Sequence, residues 1–448
     1  MNIKRNLVFA LVLLLTAAMV FTLAGCGSDS SVDNNPGNTN NPGNTTAAKY
    51  VDGHDFSDGV AWVQTAAGQW QAVDKKGKVV LKLAADEWPR SNFAQGVALV
   101  RRADGTIELI DKKGKVISSP KSGEYDGICG FIPKLGMTLV YKHIVTYQVT
   151  EDQVGIIDSK GNWKVNLTND EVLVNMCYIS DYASSSGNYL IHIGGYIGEG
   201  YLSMIRGGYF DNGYVSLFDV NANIPYSIKL GYSGLGDFAY CRVGYMENGS
   251  SVYIYSLKRT MYYSTSSGGV YAIDKFGNTN QLIRFSDVEE IYLGKYKEGL
   301  FFYKSTKSSH YNSTGVGCGF YDINGNRKIN LSAYDITNTP EFTDGYSLLT
   351  LRNPQGTPFF TVIDKNGNEM FEPRLAQGLS VSEISCGLIV IRSGDYGDYS
   401  YSIISTSGAT IADLGQVDSV SDFCEDAAMV KSGDEIYYID KAGKRLFK

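Results

Sequence analysis

The body of this 448-residue chain has no cluster of Lys or Arg, only 4 histidines and 10 prolines, and no apolar run of membrane length after residue 25. Each shortage excludes something. With a formal charge of −7 and no basic patch, nucleic acid and anionic membrane surfaces are poor partners. His54, His143, His192 and His310 are scattered without neighbours at metal-ligand spacing, so neither a metal centre nor a cofactor is expected. There is no Gly-x-Ser-x-Gly elbow and no phosphate-binding glycine loop. Few prolines beside 50 glycines and 32 tyrosines point to short strands and tight turns, with very little helix.

The N-terminus is different in kind. Lys4 and Arg5 precede an apolar run from Leu7 to Leu23, broken only by Thr16 and Thr22, which is the layout of a secretory signal. Leu23-Ala24-Gly25-Cys26 resembles a lipobox, the cleavage site of bacterial lipoproteins. The resemblance implies that residues 1–25 are removed and that the Cys26 thiol carries the lipid. Acyl chains contribute about 0.8 kcal/mol per buried methylene, enough for two or three chains to hold a protein to a leaflet. Residues 26–48, rich in Ser, Asn, Pro, Gly and Thr, include Asn-Asn-Pro-Gly-Asn-Thr twice and read as a flexible tether. The expected location is the extracytoplasmic side of a cell membrane, with residues 49–448 as the folded domain. Of the six further cysteines, Cys129, Cys177, Cys241, Cys318, Cys386 and Cys424, most lie within apolar strand-like segments. Buried free thiols are favoured over a disulfide framework.

Internal repetition dominates the body. Ala72-Val73-Asp74-Lys75-Lys76-Gly77-Lys78-Val79-Val80 returns as Leu109-Ile110-Asp111-Lys112-Lys113-Gly114-Lys115-Val116-Ile117. Further copies centre on Asp158/Gly161, Asp274/Gly277, Asp322/Gly325, Asp364/Gly367 and Asp440/Gly443, with degenerate ones at Asp219–Asn223 and Ser405–Gly408, nine in all. The aspartate accepts turn amides and the glycine takes the left-handed conformation, which makes each unit a β-hairpin. That role also explains Asp322-Ile-Asn-Gly and Asp364-Lys-Asn-Gly, whose glycine comes too early for an EF-hand. Upstream stands a second element, Phe56-Ser-Asp-Gly59-Val-Ala-Trp-Val, repeated as Phe93-Ala-Gln-Gly96-Val-Ala-Leu-Val and Phe342-Thr-Asp-Gly345-Tyr-Ser-Leu-Leu. Apolar residues on both phases indicate a strand buried on both faces.

Together the two elements resemble the bacterial WG repeat over about two thirds of residues 50–448, although the name-giving pair survives only as Trp70-Gln71, Val154-Gly155 and Cys318-Gly319 in three units. The resemblance implies a binding or scaffolding module without assigned chemistry. The mean spacing of about 46 residues matches a four-stranded propeller blade. The fold expected is therefore an all-β propeller of eight to nine degenerate repeats, the alternative being an open β-repeat array.

Half of the tyrosines fall between Tyr178 and Tyr271. Tyr has high strand propensity, so packing accounts for most of them individually. As a group, Tyr196, Tyr201, Tyr209, Tyr262 and Tyr263 mark the best candidate ligand surface, suited to a glycan or an envelope protein. Catalytic signals are thin, the candidate carboxylates outside the turns being Asp86-Glu87-Trp88 and Glu289-Glu290. The expected function is thus a membrane-anchored, non-enzymatic binding module, with an extracellular polysaccharide hydrolase on a propeller scaffold as the alternative. A hydrolase needs two or three converging carboxylates, whereas a binder can present a shallow aromatic surface without any.

Overall fold

A computed structural model describes residues 50–447, except 146–149, 170–172, 174–188, several loops between 199 and 278, 308–316 and 395–397; from 189 to 290 the description is mainly of backbone. Ala47–Lys448 forms one compact unit. Its strands follow chain order, each antiparallel to the next, as in the sheet of Trp88–Pro89, Val97–Arg101, Ile107–Asp111 and Val116–Ser118. Two sheets have seven strands and each joins two repeats. One runs from Asp237–Val243 to Arg327–Asn330; the other carries the C-terminal strands Ser419–Val420, Ala427–Ser432 and Glu435–Asp440 into the N-terminal ones, from Tyr50–Gly53 to Val79–Lys82. Among the described residues this makes nine repeat units, one per turn.

The turns form as their chemistry requires. In the first, Asp74 Oδ1 accepts the N–H groups of Lys76 and Lys78, both at 2.9 Å, and Gly77 has φ of +75°. The same bonds recur at Asp111, Asp158, Asp322, Asp364 and Asp440. In the degenerate eighth turn the Ser405 hydroxyl accepts the Ala409 N–H at 3.2 Å.

The core explains why the second strand of each unit is apolar on both phases. In a strand, alternate side chains point to opposite faces. Val60 and Trp62 pack with Phe93, Ala98 and Val100 of the second unit, while Ala61 and Val63 pack with Ala427, Ile436 and Tyr438 of the ninth. The second unit sends Val97 and Leu99 to the third. The eighth sends Leu388 and Val390 to the ninth, and Ile389 and Ile391 to the seventh. Among the described units the sheets are thus sandwiched between neighbours, and the ninth lies against the first. The array is closed and the fold is an all-β propeller, not an open array. Pairing of Tyr50 with Ile436 and a 2.6 Å hydrogen bond from the Tyr438 hydroxyl to the His54 carbonyl complete the closure.

A polar clasp repeats at the junctions. Asp58, at φ +57°, accepts the Gly96 N–H of the next unit at 2.5 Å and pairs with that unit's Lys112 at 3.1 Å. Glu298 accepts the Gly345 N–H at 3.0 Å and pairs with Lys365 at 3.1 Å. Across the closure, Glu425 accepts the N–H groups of Asp58 and Gly59, at 2.5 and 2.8 Å, and pairs with Lys75 at 3.7 Å. In all three, the lysine also donates to the backbone carbonyl of the acidic residue.

The glycine of the degenerate pairs has a steric cause. A Cβ on Gly319, at φ +155°, would stand 2.0 Å from the Ile329 carbonyl oxygen, and one on Gly155 would stand 2.8 Å from that of Val165. Where Gln71 replaces it, the side chain is buried and donates to the Tyr50 hydroxyl at 3.3 Å. The Cys129 environment departs from the expected free thiol, since this residue is disulfide-bonded; Cys318, Cys386 and Cys424 are free.

Two outcomes follow. Gly319→Ala forces the two strands apart and is expected to cost about 1–3 kcal/mol in urea unfolding, the range for overpacked sites. Glu425→Ala is expected to raise amide hydrogen exchange selectively in residues 50–65 and 427–440, whereas Glu298→Ala leaves those segments unchanged.

Candidate functional site

The turn that opens the second strand of each unit begins with a buried anchor: Phe56, Phe93, Tyr296, Phe342, Ile384 and Phe423 are each at most 6% exposed. The residue immediately before the anchor therefore takes the same place in each of these six units. In the sixth to ninth units these residues are Lys295, Glu341, Glu383 and Asp422; in the first and second they are Asp55 and Asn92. They form a continuous polar rim along neighbouring units. Lys295 stands 3.5 Å from Glu341, with Lys297 at 3.8 Å from the other carboxylate oxygen. Next to Asp55, His54 Nδ1 lies 2.8 Å from Asn92 Oδ1.

The electrostatics tie the carboxylates together. Burial pushes the Glu383 carboxyl above its ordinary range, and the charge of Glu341 adds to this, against Lys295; Asp422 pushes in the same direction. Burial likewise raises Asp422, opposed by a hydrogen bond with the Ser382 side chain and reinforced by Asp55. Yet Glu383 and Asp422 both keep exposed surface. Asp55 Oδ1 is buried without a hydrogen-bond partner. His54 is pushed below its ordinary range by burial, against the Asn92 contact and the charges of Asp52 and Asp55, which makes it a neutral ring; it lies against the Trp70 ring, with centroids 5.4 Å apart.

The carboxylates singled out from sequence do other things. Glu87 pairs with Arg102 at 3.0 Å and accepts the Ala84 N–H at 3.1 Å; Arg102 also holds the buried Glu108 at 2.7 Å. This is a structural ion network. Trp88 has the Arg101 guanidinium over its ring at 4.3 Å. Glu289 and Glu290 lie in the strand Thr279–Leu293, and their side chains are outside the description. Tyr196 lies in Tyr189–Gly198 and Tyr201 in Tyr201–Gly208, with only the backbone described; Tyr209, Tyr262, Tyr263 and Cys26 lie outside the described residues. The rim itself was readable, because an acid precedes the anchor in four of the aligned repeats. Sequence reasoning passed over it by counting acids in loops one at a time.

No family model and no curated protein matches the chain. Among solved structures it is similar to the dipeptidyl peptidase 4 of Porphyromonas gingivalis, at 11% identity and TM-score 0.48, with 88% of this chain and 65% of that one covered. It is also similar to prolyl oligopeptidase B of Galerina marginata, at 9% identity and TM-score 0.39 over 89% of this chain and 55% of that one. The tricorn protease aligns at 14% identity and TM-score 0.31, over 86% and 42%. This chain thus spans less than two thirds of the length of each of these. The expected binding module is corrected at this point. The solved structures named here are peptidases, which points to the alternative of a hydrolase scaffold.

The pH dependence of the rim has a definite sign. A carboxyl raised in the folded state contributes fully below its unfolded value and loses that contribution as pH rises through its folded value. Glu383→Gln with Asp422→Asn is therefore expected to be more stable than the parent at pH 7, and the gain should vanish near pH 3. Since both groups touch solvent, the gain is under about 1 kcal/mol. Urea midpoints at the two pH values measure it.

Proposed function

We propose that the propeller is a hydrolase scaffold whose rim carboxylates do acid–base work on a glycosidic bond. The observation that carries this reading is the contrast between Glu383, pushed towards its protonated form, and Glu341, whose charge Lys295 and Lys297 compensate. Two carboxyl groups in different environments can divide the roles of acid and base. In this reading Glu383 gives its proton to the departing glycosidic oxygen. An ionised neighbour, Glu341 or Asp422, takes a proton from the attacking water. Asp55, with an unpartnered oxygen, adds negative potential that favours an oxocarbenium-like centre.

The leader and Cys26 support placing this activity outside the cytoplasm on a lipid anchor, with residues 26–48 as the tether. The lack of room for a Cβ at Gly155 and Gly319 supports reading the units as WG-type repeats. Peptide is the substrate of the neighbours by name; a pair of carboxyl groups in different environments favours a glycoside here.

The test is release of reducing ends from a panel of extracellular polysaccharides by residues 49–448. Release is expected to fall by about 10²–10⁴-fold in Glu383→Gln, the usual worth of a general acid, while the fold is kept and the urea midpoint is no lower than the parent's. Release unchanged in Glu383→Gln and in Asp422→Asn, or no release from any glycan, would sink the proposal. Cleavage of peptides by the parent would transfer it to the peptidases.

A further inference from the structure

The junction between the eighth and ninth units lacks the carboxylate of the clasp. Aligning the turns puts Asp58, Gln95, Glu298, Asp344 and Glu425 at the clasp position, all in the left-handed region. In the eighth unit that position is Cys386, at φ +54°. A thiol cannot accept two amides and an ammonium as a carboxylate does. The consequence is visible on the other side. Lys75, Lys112 and Lys365, each directly after its turn aspartate, reach back to the acid of the preceding unit. Lys441, the equivalent residue of the ninth unit, pairs instead with Asp426 of its own unit at 3.3 Å.

Cys386 reaches the backbone next to a second cysteine. Its Sγ lies 3.5 Å from the carbonyl oxygen of Phe423, the residue whose carbonyl carbon is bonded to the amide nitrogen of Cys424. The Ser385 hydroxyl donates to the same carbonyl, as Ser57 does to Phe93 between the first two units, so the two turns are docked in the ordinary way. Both cysteines are free and partly buried.

We propose that Cys386 and Cys424 form a disulfide that joins the eighth and ninth blades and replaces the ionic clasp at that junction. The bond forms by exchange: one thiolate attacks a disulfide oxidant, and the second thiol then displaces the reduced half. Two protons and two electrons leave the pair and the oxidant is reduced to two thiols. Burial, followed by the charges of Asp55, Cys386, Asp422 and Glu425, raises the Cys424 thiol to about 11. The attacking thiolate is therefore scarce at neutral pH, and the bond closes faster in mildly alkaline buffer. The link adds a covalent tie beside the junction where the ring closes on itself, so its effect reaches the stability of the whole ring.

The experiment exposes the purified protein to oxidised glutathione at alkaline pH, blocks remaining thiols with iodoacetamide and maps peptides without reduction. The disulfide at Cys129 serves as the internal control for oxidation. The expected result is a cross-linked peptide pair containing Cys386 and Cys424, lost on reduction. The thermal midpoint should rise by several degrees on oxidation in the parent and by less in Cys386→Ser. Cys386→Asp, which restores the carboxylate, should recover stability that no longer depends on redox state. Alkylation of both thiols while Cys129 is oxidised, or linkage of either to Cys318, overturns the proposal. So does a redox shift of the midpoint equal in the parent and Cys386→Ser.

Discussion

The closure between the ninth unit and the first is the constraint on which the rest depends, because it is the one junction the chain does not cross. A sheet that is apolar on both faces is viable only when both faces are covered. If the ring opened there, Ala61, Val63 and Val73 on one side and Ala427, Ile436 and Tyr438 on the other would meet water. Magnitudes separate the parts played at this junction. Burial of the larger of these side chains stabilises by about 1.5–3 kcal/mol each. The exposed Glu425–Lys75 pair contributes about 1 kcal/mol at most. Apolar packing therefore supplies the free energy of closure, and the clasp supplies direction. A carboxylate that must reach one particular amide and one particular lysine sets which turn meets which.

The turn that carries the clasp also carries the rim, and the two are linked by the anchor between them. In Asp55-Phe56-Ser57-Asp58-Gly59 the buried ring of Phe56 fixes the backbone, the residue before it falls on the rim, and the residue two beyond it reaches the next unit. The rim is thus a by-product of how the blades are spaced. Neighbouring blades bring Glu341, Glu383, Asp422 and Asp55 close enough to feel one another's charge. Nothing in the docking of blades requires those positions to be acidic. Asn92 and Lys295 occupy the same place without disturbing the anchor that follows. Glu383 and Asp422 work against the fold in their charged forms, which is a reason to seek their use elsewhere.

Much of this architecture was legible in the residues. The aspartate–glycine turns announced themselves by chemistry, and their bonds recur as the side chains dictate. The two-phase apolar runs such as Val60-Ala61-Trp62-Val63 foretold strands buried on both faces. They could not say which neighbour each face would meet, because closure joins Ala61 to Ala427 across nearly the whole chain. The rim escaped for the same reason: Asp55 and Asp422 are distant in sequence and adjacent only once the ring exists. Sequence drew attention to Glu87, an isolated acid beside Trp88, and the structure ties it up with Arg102. The tyrosine-rich segment was singled out by composition alone, a weaker signal than recurrence at one repeat position. Cys129 shows the same limit, since pairing depends on approach in space and spacing along the chain does not reveal it.

Carboxylates of one kind behave in opposite ways in this molecule, and the contrast bears on what each is for. Asp364, in a turn, is held below its ordinary range by the Asn368 side chain and, against a small effect of burial, by the N–H groups of Asn368 and Asn366. Its ionised form is what the fold uses, so its contribution is present at neutral pH and lost on acidification. Asp422 and Glu383 are displaced in the other direction, and ionising them costs stability. A group that serves the fold by its charge is surrounded by donors. A group raised above its ordinary range, wet and beside like charges, holds its proton more firmly than a free carboxyl and can deliver it as an acid. On that physical distinction the turn aspartates belong to the scaffold and the rim to the proposed chemistry, even though both lie in short loops and neither stands out by composition.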